Sequence, residues 1–152
     1  MQPNSVDRIL EYAIRNEERA AAFYRYFAEE APRESTKDVF LRFAGEEEDH
    51  KARLLAIKAS GQEFVSAAEP VDPELAETLD DEPLDLAGDM DYRQVLVLAI
   101  KAEKGAHMLY TRLAETACNA AWKSTLLGLA QEEARHKLQF EREYEELKRH
   151  DG

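Results

Sequence analysis

The sequence predicts an all-α protein that folds as an antiparallel four-helix bundle with a long connection between its second and third helices. Three observations lead to this prediction. Four long segments place apolar residues at helical spacing. Few prolines and glycines interrupt the 152 residues. Two stretches of the chain also repeat each other at a constant offset of 86 residues, which is typical of a duplicated helical hairpin. A chain of this length suits one domain with a buried core.

The first two helical segments form the first predicted hairpin. The first segment covers roughly residues 5–31, where apolar and small residues recur every three or four positions (Ile9, Tyr12, Ala13, Asn16, Ala20, Phe23, Tyr24 and Phe27). Pro32 ends it, and either Ser35 or Thr36 is expected to cap the second helix. That helix should run to about Ser60, where Gly61 follows as a common residue at helix C-termini. The short turn between the two segments makes their helices antiparallel.

The last two segments form the second predicted hairpin. The third helix is expected to begin near Asp91 and to continue to about Ala117. Asn119 is expected to cap the fourth helix, which reaches about residue 149. Each of the four helices is about 25 residues long, or roughly 38 Å at 1.5 Å per residue.

The two hairpins are joined by an acidic segment. The predicted single domain, 1–152, therefore consists of hairpin 5–60, crossover 61–91 and hairpin 91–149. The crossover contains no lysine or arginine and carries most of the net charge of −12. About 30 residues can span roughly 100 Å, so the segment can connect opposite ends of the bundle. A solvated connection kept soluble by its charge is the favoured interpretation; attraction of basic proteins or divalent cations is the alternative.

The repeat brings together residue types that bind metals. A Glu-x-x-His motif occurs in each half, and another glutamate precedes each motif by the same 30 residues. If each motif lies on its own helix, these side chains form the ligand set of a carboxylate-bridged two-metal centre inside the bundle. The predicted metal ligands are Glu17, Glu47, His50, Glu103, Glu133 and His136.

Charge decides what such a site must contain. Four carboxylates that converge in a low-dielectric interior repel one another, and two divalent cations would neutralise them. Oxygen and imidazole ligands with open positions suit iron or manganese and also accept zinc. A single Glu-x-x-His on a charged helix is more often solvated. Two such motifs with matched upstream glutamates favour the metal site.

The motifs resemble those of the ferritin-like di-iron carboxylate superfamily, and most closely those of the rubrerythrin group. The segment from Glu132 to His136 also resembles the acid-Glu-x-Arg-His motif of di-iron enzymes. The resemblance covers all four helices and implies two iron ions. It implies that Glu17 and Glu103 are the only ligands from the first and third helices. It also implies that Glu47 and Glu133 bridge the two metals. His50 and His136 would each complete the coordination of one metal. Family members react ferrous iron with dioxygen or hydrogen peroxide.

Three departures from the rubrerythrin pattern matter. One cysteine, Cys118, excludes the rubredoxin-like iron module with its four cysteines, so a separate electron-donor protein is expected. Ala106 stands where rubrerythrins carry an extra glutamate, one turn after the third-helix ligand. This leaves six ligands and argues against the peroxidase activity of true rubrerythrins. The sequence also shows no fifth short helix of cage-forming ferritins, which makes a storage cage less favoured.

The predicted function is that of a non-haem di-iron oxidoreductase, rubrerythrin-like, that reacts Fe(II) with hydrogen peroxide or dioxygen. The alternative is a non-catalytic protein that binds iron or zinc for metal handling or storage. No membrane span, signal peptide or basic surface is visible in the sequence. A cytoplasmic location without nucleic-acid or membrane partners is therefore expected. A homodimer is the default expectation for such bundles.

Several residues near the ligands have two interpretations. His107 is either a seventh ligand or proton donor near the metals, or a packed or solvent-facing residue. Tyr24 and Tyr110 lie two turns after Glu17 and Glu103, so they either donate to a carboxylate or fill the core. The oppositely charged residues Asp49 and Arg135 occupy equivalent positions and are candidates for orienting the ligands.

Overall fold

The computed structural model describes residues 5–31, 33–59, 91–117 and 119–151. Within these ranges the chain forms four helices and no strand: α1 (Ser5–Ala28), α2 (Glu34–Ala59), α3 (Tyr92–Thr116) and α4 (Ala120–Asp151). The predicted all-α four-helix bundle is confirmed. Pro32, Gly61, Cys118 and all of the predicted crossover except Asp91 lie outside the described residues.

Side-chain caps explain where two of the helices begin. Asp91 accepts a hydrogen bond from the backbone of Gln94, whose side chain accepts one from the backbone of Asp91, which completes a capping box. The Asn119 side chain accepts from the backbone N–H groups of Ala121 and Trp122. The predicted start of the third helix near Asp91 and the predicted Asn119 cap are therefore confirmed.

The predicted cap of the second helix is wrong. Helix α2 begins at Glu34, before both Ser35 and Thr36. Thr36 is buried within the first turn, and its hydroxyl lies 3.5 Å from Oε2 of Glu143 on α4. Thr36 therefore contacts α4 and does not cap α2.

Contacts between the hairpins establish the directions of the helices. Tyr24 on α1 donates to Glu103 on α3, whereas Tyr110 donates to Glu17, so the later residue of each helix meets the earlier one of the other. Helices α1 and α3 are therefore antiparallel. The end of α2 packs in the same apolar cluster as the end of α3, so α2 and α3 run in the same direction. The end of α2 and the start of α3 consequently lie at opposite ends of the bundle, as a long crossover between them requires.

Two separate apolar clusters fill the bundle. The aliphatic cluster lies at one end and contains residues such as Ile9, Leu10, Leu54, Leu113 and Leu126. The aromatic cluster lies at the other end and contains residues such as Phe23, Phe27, Phe40, Val95 and Phe140. In every helix the predicted metal ligand lies between residues of the two clusters. The core is thus divided by a polar layer at its middle.

Among the described residues, none of the helices combines the length and apolar character that crossing a bilayer demands.

Two neighbouring leucines on α4 provide a test of the packing. Leu126 is fully buried in the aliphatic cluster, whereas Leu127 is 39% exposed. We expect Leu126→Ala to lower the free energy of unfolding by about 2–5 kcal/mol, because it removes apolar contacts and leaves a cavity. Leu127→Ala, the matched control, should cost less than about 1 kcal/mol. Chemical denaturation measures both, and equal losses would contradict this account of the core.

Candidate metal centre

The six predicted ligands meet at the middle of the bundle. Glu17 lies on α1, Glu47 and His50 on α2, Glu103 on α3, and Glu133 and His136 on α4. Each is at most 2% exposed. A Glu at position i and a His at i+3 face the same side of a helix, so each motif presents both side chains to the interior. The spacing argument therefore placed all six residues in one site.

The ligand atoms form two overlapping groups. One group contains Glu17, Glu47, His50 and Glu133, and the other contains Glu47, Glu103, Glu133 and His136. Within each group, one ligand atom per residue lies within 4.8 Å of the others. Glu47 and Glu133 belong to both groups. Two glutamates shared between two sets is the arrangement that a carboxylate-bridged pair of metals requires.

The unpaired polar atoms of the site fit metal ions. Nδ1 of His50 lies 2.7 Å from Oε1 of Glu133, and Nδ1 of His136 lies 3.1 Å from Oε1 of Glu47. Within the described part of the chain, these buried atoms nevertheless make no hydrogen bond with suitable angles: Oε2 of Glu17, Oε1 of Glu47, Nδ1 and Nε2 of His50, Oε2 of Glu103, Oε1 of Glu133 and Nδ1 of His136. Buried polar atoms are rarely left without a partner in folded proteins. Apart from Nε2 of His50, which faces Glu132, these atoms belong to the two ligand groups and indicate that cations complete their interactions.

Two tyrosines fix the outer carboxylates. Tyr110 donates to Oε1 of Glu17, and Tyr24 donates to Oε1 of Glu103. In both glutamates the second oxygen, Oε2, is the one without a hydrogen bond. Burial is the largest cause that raises the pKa of each tyrosine well above 10, and the neighbouring glutamates raise it further. Both phenols therefore stay protonated and act as donors, so the donor interpretation of these tyrosines is confirmed.

Two glutamates that the sequence analysis missed face the outer nitrogens of the histidines. Nε2 of His136 lies 3.2 Å from Oε2 of Glu46, and Nε2 of His50 lies 3.6 Å from Oε2 of Glu132. The Nδ1 atoms point the other way, towards the ligand carboxylates. A carboxylate behind a ligating histidine fixes its tautomer and ring orientation. A signal was present, because an acidic residue precedes the motif glutamate in both halves.

The two halves hold their histidines differently. The ring of Phe43 stacks on His136 at 3.9 Å between centroids, whereas Leu129 occupies the equivalent position in the other half. Behind His50, the guanidinium of Arg53 lies 3.0 Å from Glu132 and 2.6 Å from Asp49. The ligand set is duplicated, but its surroundings are not.

The remaining candidates lie outside both ligand groups. Nδ1 of His107 lies 2.9 Å from the backbone oxygen of Ala130, so this histidine links α3 to α4. Asp49 reaches His50 only through Arg53 and Glu132. Arg135 is exposed and lies 3.8 Å from Glu132. Neither Asp49 nor Arg135 therefore contacts a ligand directly, as orienting it would require.

Without metal, protons neutralise the site. Burial is the largest cause that raises the pKa of Glu47 and Glu133 well above 4.5, and the neighbouring carboxylates raise both further. Burial lowers the pKa of His50, but contacts with Glu133 and Glu17 outweigh it and raise that pKa to about 11. Burial raises the pKa of Glu17, yet hydrogen bonds with Glu47, His50 and Tyr110 outweigh it, so this pKa is lowered overall.

Comparisons with known proteins agree with this geometry. The family model described as Rubrerythrin matches residues 8–82 and 94–151. The chain belongs to the rubrerythrin family. No functionally curated protein matches the sequence significantly. Ala106, which occupies the position of the expected additional glutamate, is partly buried against the aliphatic cluster.

Two solved structures resemble the chain throughout. A hypothetical protein from Pyrococcus furiosus is 28% identical with a TM-score of 0.72, over 93% of this chain and 89% of that one. A protein from Thermotoga maritima, described as ferritin-like and diiron-carboxylate, is 24% identical with the same TM-score of 0.72. That alignment covers 96% of this chain and 98% of the other. It confirms the ferritin-like fold.

The raised pKa values of Glu47 and Glu133 predict how pH affects the metal-free protein. A carboxyl whose pKa is raised on folding contributes stability below its unfolded value near 4.5, and this contribution is lost as pH rises. The raised pKa of His50 acts in the same direction up to about 11. We therefore expect the melting temperature of chelator-treated protein to fall between about pH 5 and pH 8.

A single substitution isolates the contribution of the shared carboxylates. Glu47→Gln removes one buried acid and should raise the melting temperature of the metal-free protein at about pH 8, while weakening metal binding. Glu48→Gln, next in sequence but exposed, is the matched control and should change neither. Lower stability of metal-free Glu47→Gln at that pH would contradict the proposed charge balance.

Proposed function

We propose that this chain is a non-haem di-iron oxidoreductase that reacts Fe(II) with hydrogen peroxide or dioxygen. The observation that supports it best is the pair of overlapping ligand groups that share Glu47 and Glu133. In this proposal Glu17 and Glu103 bind one metal each, and His50 and His136 each complete one metal through Nδ1. Two bound iron ions would supply the redox equivalents and a template for the O–O group.

The protein's own residues prepare the site for this chemistry. The apolar clusters above and below exclude water, which strengthens every electrostatic interaction at the ligands. Tyr24 and Tyr110 each occupy one oxygen of an outer glutamate and leave Oε2 for the metal. Glu46 holds His136 with Nδ1 directed inward. The ligands are therefore positioned before metal arrives.

A non-catalytic role in binding iron or zinc is the second candidate. Ala106 favours it, because an apolar side chain packed against the aliphatic cluster cannot serve as the additional, redox-switching carboxylate of rubrerythrins. An enzyme also needs an electron source, and a separate donor protein is part of the leading proposal. Repeated turnover of peroxide with an external donor supports the enzyme; a slow, stoichiometric reaction supports the binding protein.

Metal loading tests the ligand assignment directly. Anaerobic titration with Fe(II) should saturate at two metals per chain, and hydrogen peroxide should then produce near-ultraviolet absorption of ferric iron. Glu47→Ala should weaken the uptake of both metals, because Glu47 belongs to both ligand groups. Glu48→Ala, the exposed neighbour, is the matched control. Unchanged uptake by Glu47→Ala would refute the site.

The carboxylate behind His136 has a separate expected effect. Glu46→Gln keeps the size of the side chain but removes its charge, so it should weaken metal binding on the His136 side by roughly 10- to 100-fold. The metal held by His50 should be affected less, because Glu132 faces that histidine. Competition with a chelator of known affinity measures the affinity of each metal. An equal loss at the two metals would argue against a local role for Glu46.

A further inference from the structure

A cavity opens on the surface between α2 and α4, on the outer side of His136. Its volume is about 520 Å³, which lies within the usual range for small-molecule sites. The lining consists of Arg42, Phe43, Glu46, Arg135, His136, Leu138, Gln139 and Arg142. One wall of the cavity is therefore the Glu46–His136 pair of the candidate metal centre.

The cavity is positively charged on an otherwise acidic protein. Three arginines line it against the single carboxylate of Glu46, which already lies beside Nε2 of His136. One of them, Arg135, also lies 3.8 Å from Glu132. In the described part of the chain, Arg142 makes no ion pair, and Arg42 lies over the ring of Phe43. Their donors are thus available, whereas the chain as a whole carries a net charge of −12.

The internal repeat shows that the metal centre does not require these arginines. At the positions equivalent to Arg42, Arg135 and Arg142, the other half carries Gly128, Asp49 and Ala56. The ligand glutamates and histidines are the same in both halves. An arginine cluster found beside only one of two equivalent histidines needs another explanation.

The other side of the bundle is arranged in the opposite way. There Arg53 lies 2.6 Å from Asp49 and 3.0 Å from Glu132, so its charge is neutralised by the two carboxylates. Around His136, positive charge is in excess instead. The difference lies in the outermost side chains and leaves the metal ligands unchanged.

We infer that this cavity binds a small organic anion that carries a carboxylate or phosphate group. Guanidinium groups bind such oxyanions with two parallel N–H···O hydrogen bonds, which a planar fork of donors favours. Arg142 and Arg135 supply the forks, while Phe43 and Leu138 contact the apolar part of the ligand. The bound anion lies against the outer side of His136. Binding to arginines needs no metal, so this inference does not depend on the proposed di-iron chemistry.

Calorimetric titration of the full chain, as purified, tests the inference with inorganic phosphate and succinate as probes. We expect saturable binding of one anion per chain. Arg142→Gln should weaken it about tenfold, the loss expected for a charge-assisted hydrogen bond. Arg135→Gln should act in the same direction. Backbone amide shifts should concentrate in residues 42–46 and 135–142. Tighter binding of phosphate would indicate a phosphate ligand, and tighter binding of succinate a carboxylate.

The control is Arg15→Gln, which removes the same charge from the exposed face of α1 and should change the affinity less than twofold. The inference is overturned if neither probe saturates, or if Arg142→Gln weakens binding no more than Arg15→Gln does. Metal content is measured by elemental analysis on the same samples. Loss of anion binding and loss of metal binding can therefore be told apart.

Discussion

The rest of the structure depends on the placement of four carboxylates in the middle of an apolar core. Glu17, Glu47, Glu103 and Glu133 are each no more than 2% exposed, and unpaired charges in such an environment cost several kcal/mol each. The bundle can keep them only with compensating positive charge. In the metal-free protein, protons on Glu47, Glu133 and His50 supply it, as their raised pKa values indicate. Two divalent cations would supply compensating charge instead and would also satisfy the unpaired ligand atoms.

This requirement also explains why the hairpins need each other. Each ligand group draws residues from both hairpins. The interactions behind the ligands cross the same boundary, because Tyr24 donates to Glu103 and Tyr110 donates to Glu17. A hairpin alone would hold half of a site and would expose its apolar face. The polar layer therefore specifies how the two halves align, because a shift of one helical turn would separate every donor from its acceptor.

Periodicity and the internal repeat were sufficient to predict the fold and the meeting point of the six residues. Helices place residues on a face by simple spacing, so matched motifs on four helices determine where the side chains converge. The local and outer features were harder to predict. Thr36 became part of the packing against α4 instead of a cap, because tertiary contact outweighed local preference. Glu46 and Glu132 were missed because their role depends on which histidine of the opposite hairpin they face. The roles of Asp49 and Arg135 depend on helix rotation, which spacing alone does not determine.

The two halves of the site have the same ligands but different residues around their histidines. This difference distinguishes the residues that a metal pair would require from those that it would not. A pair of metals that shared Glu47 and Glu133 would require matching ligands on both sides. The residues behind the histidines are free to differ, and they do: His136 has a stacked Phe43 and a close Glu46, whereas His50 faces Glu132, which Arg53 already engages. The carboxylate that Arg53 neutralises is the weaker acceptor for the histidine proton. Two identical ligand sets thus have different surroundings, and the arginine-lined cavity opens on the side of His136.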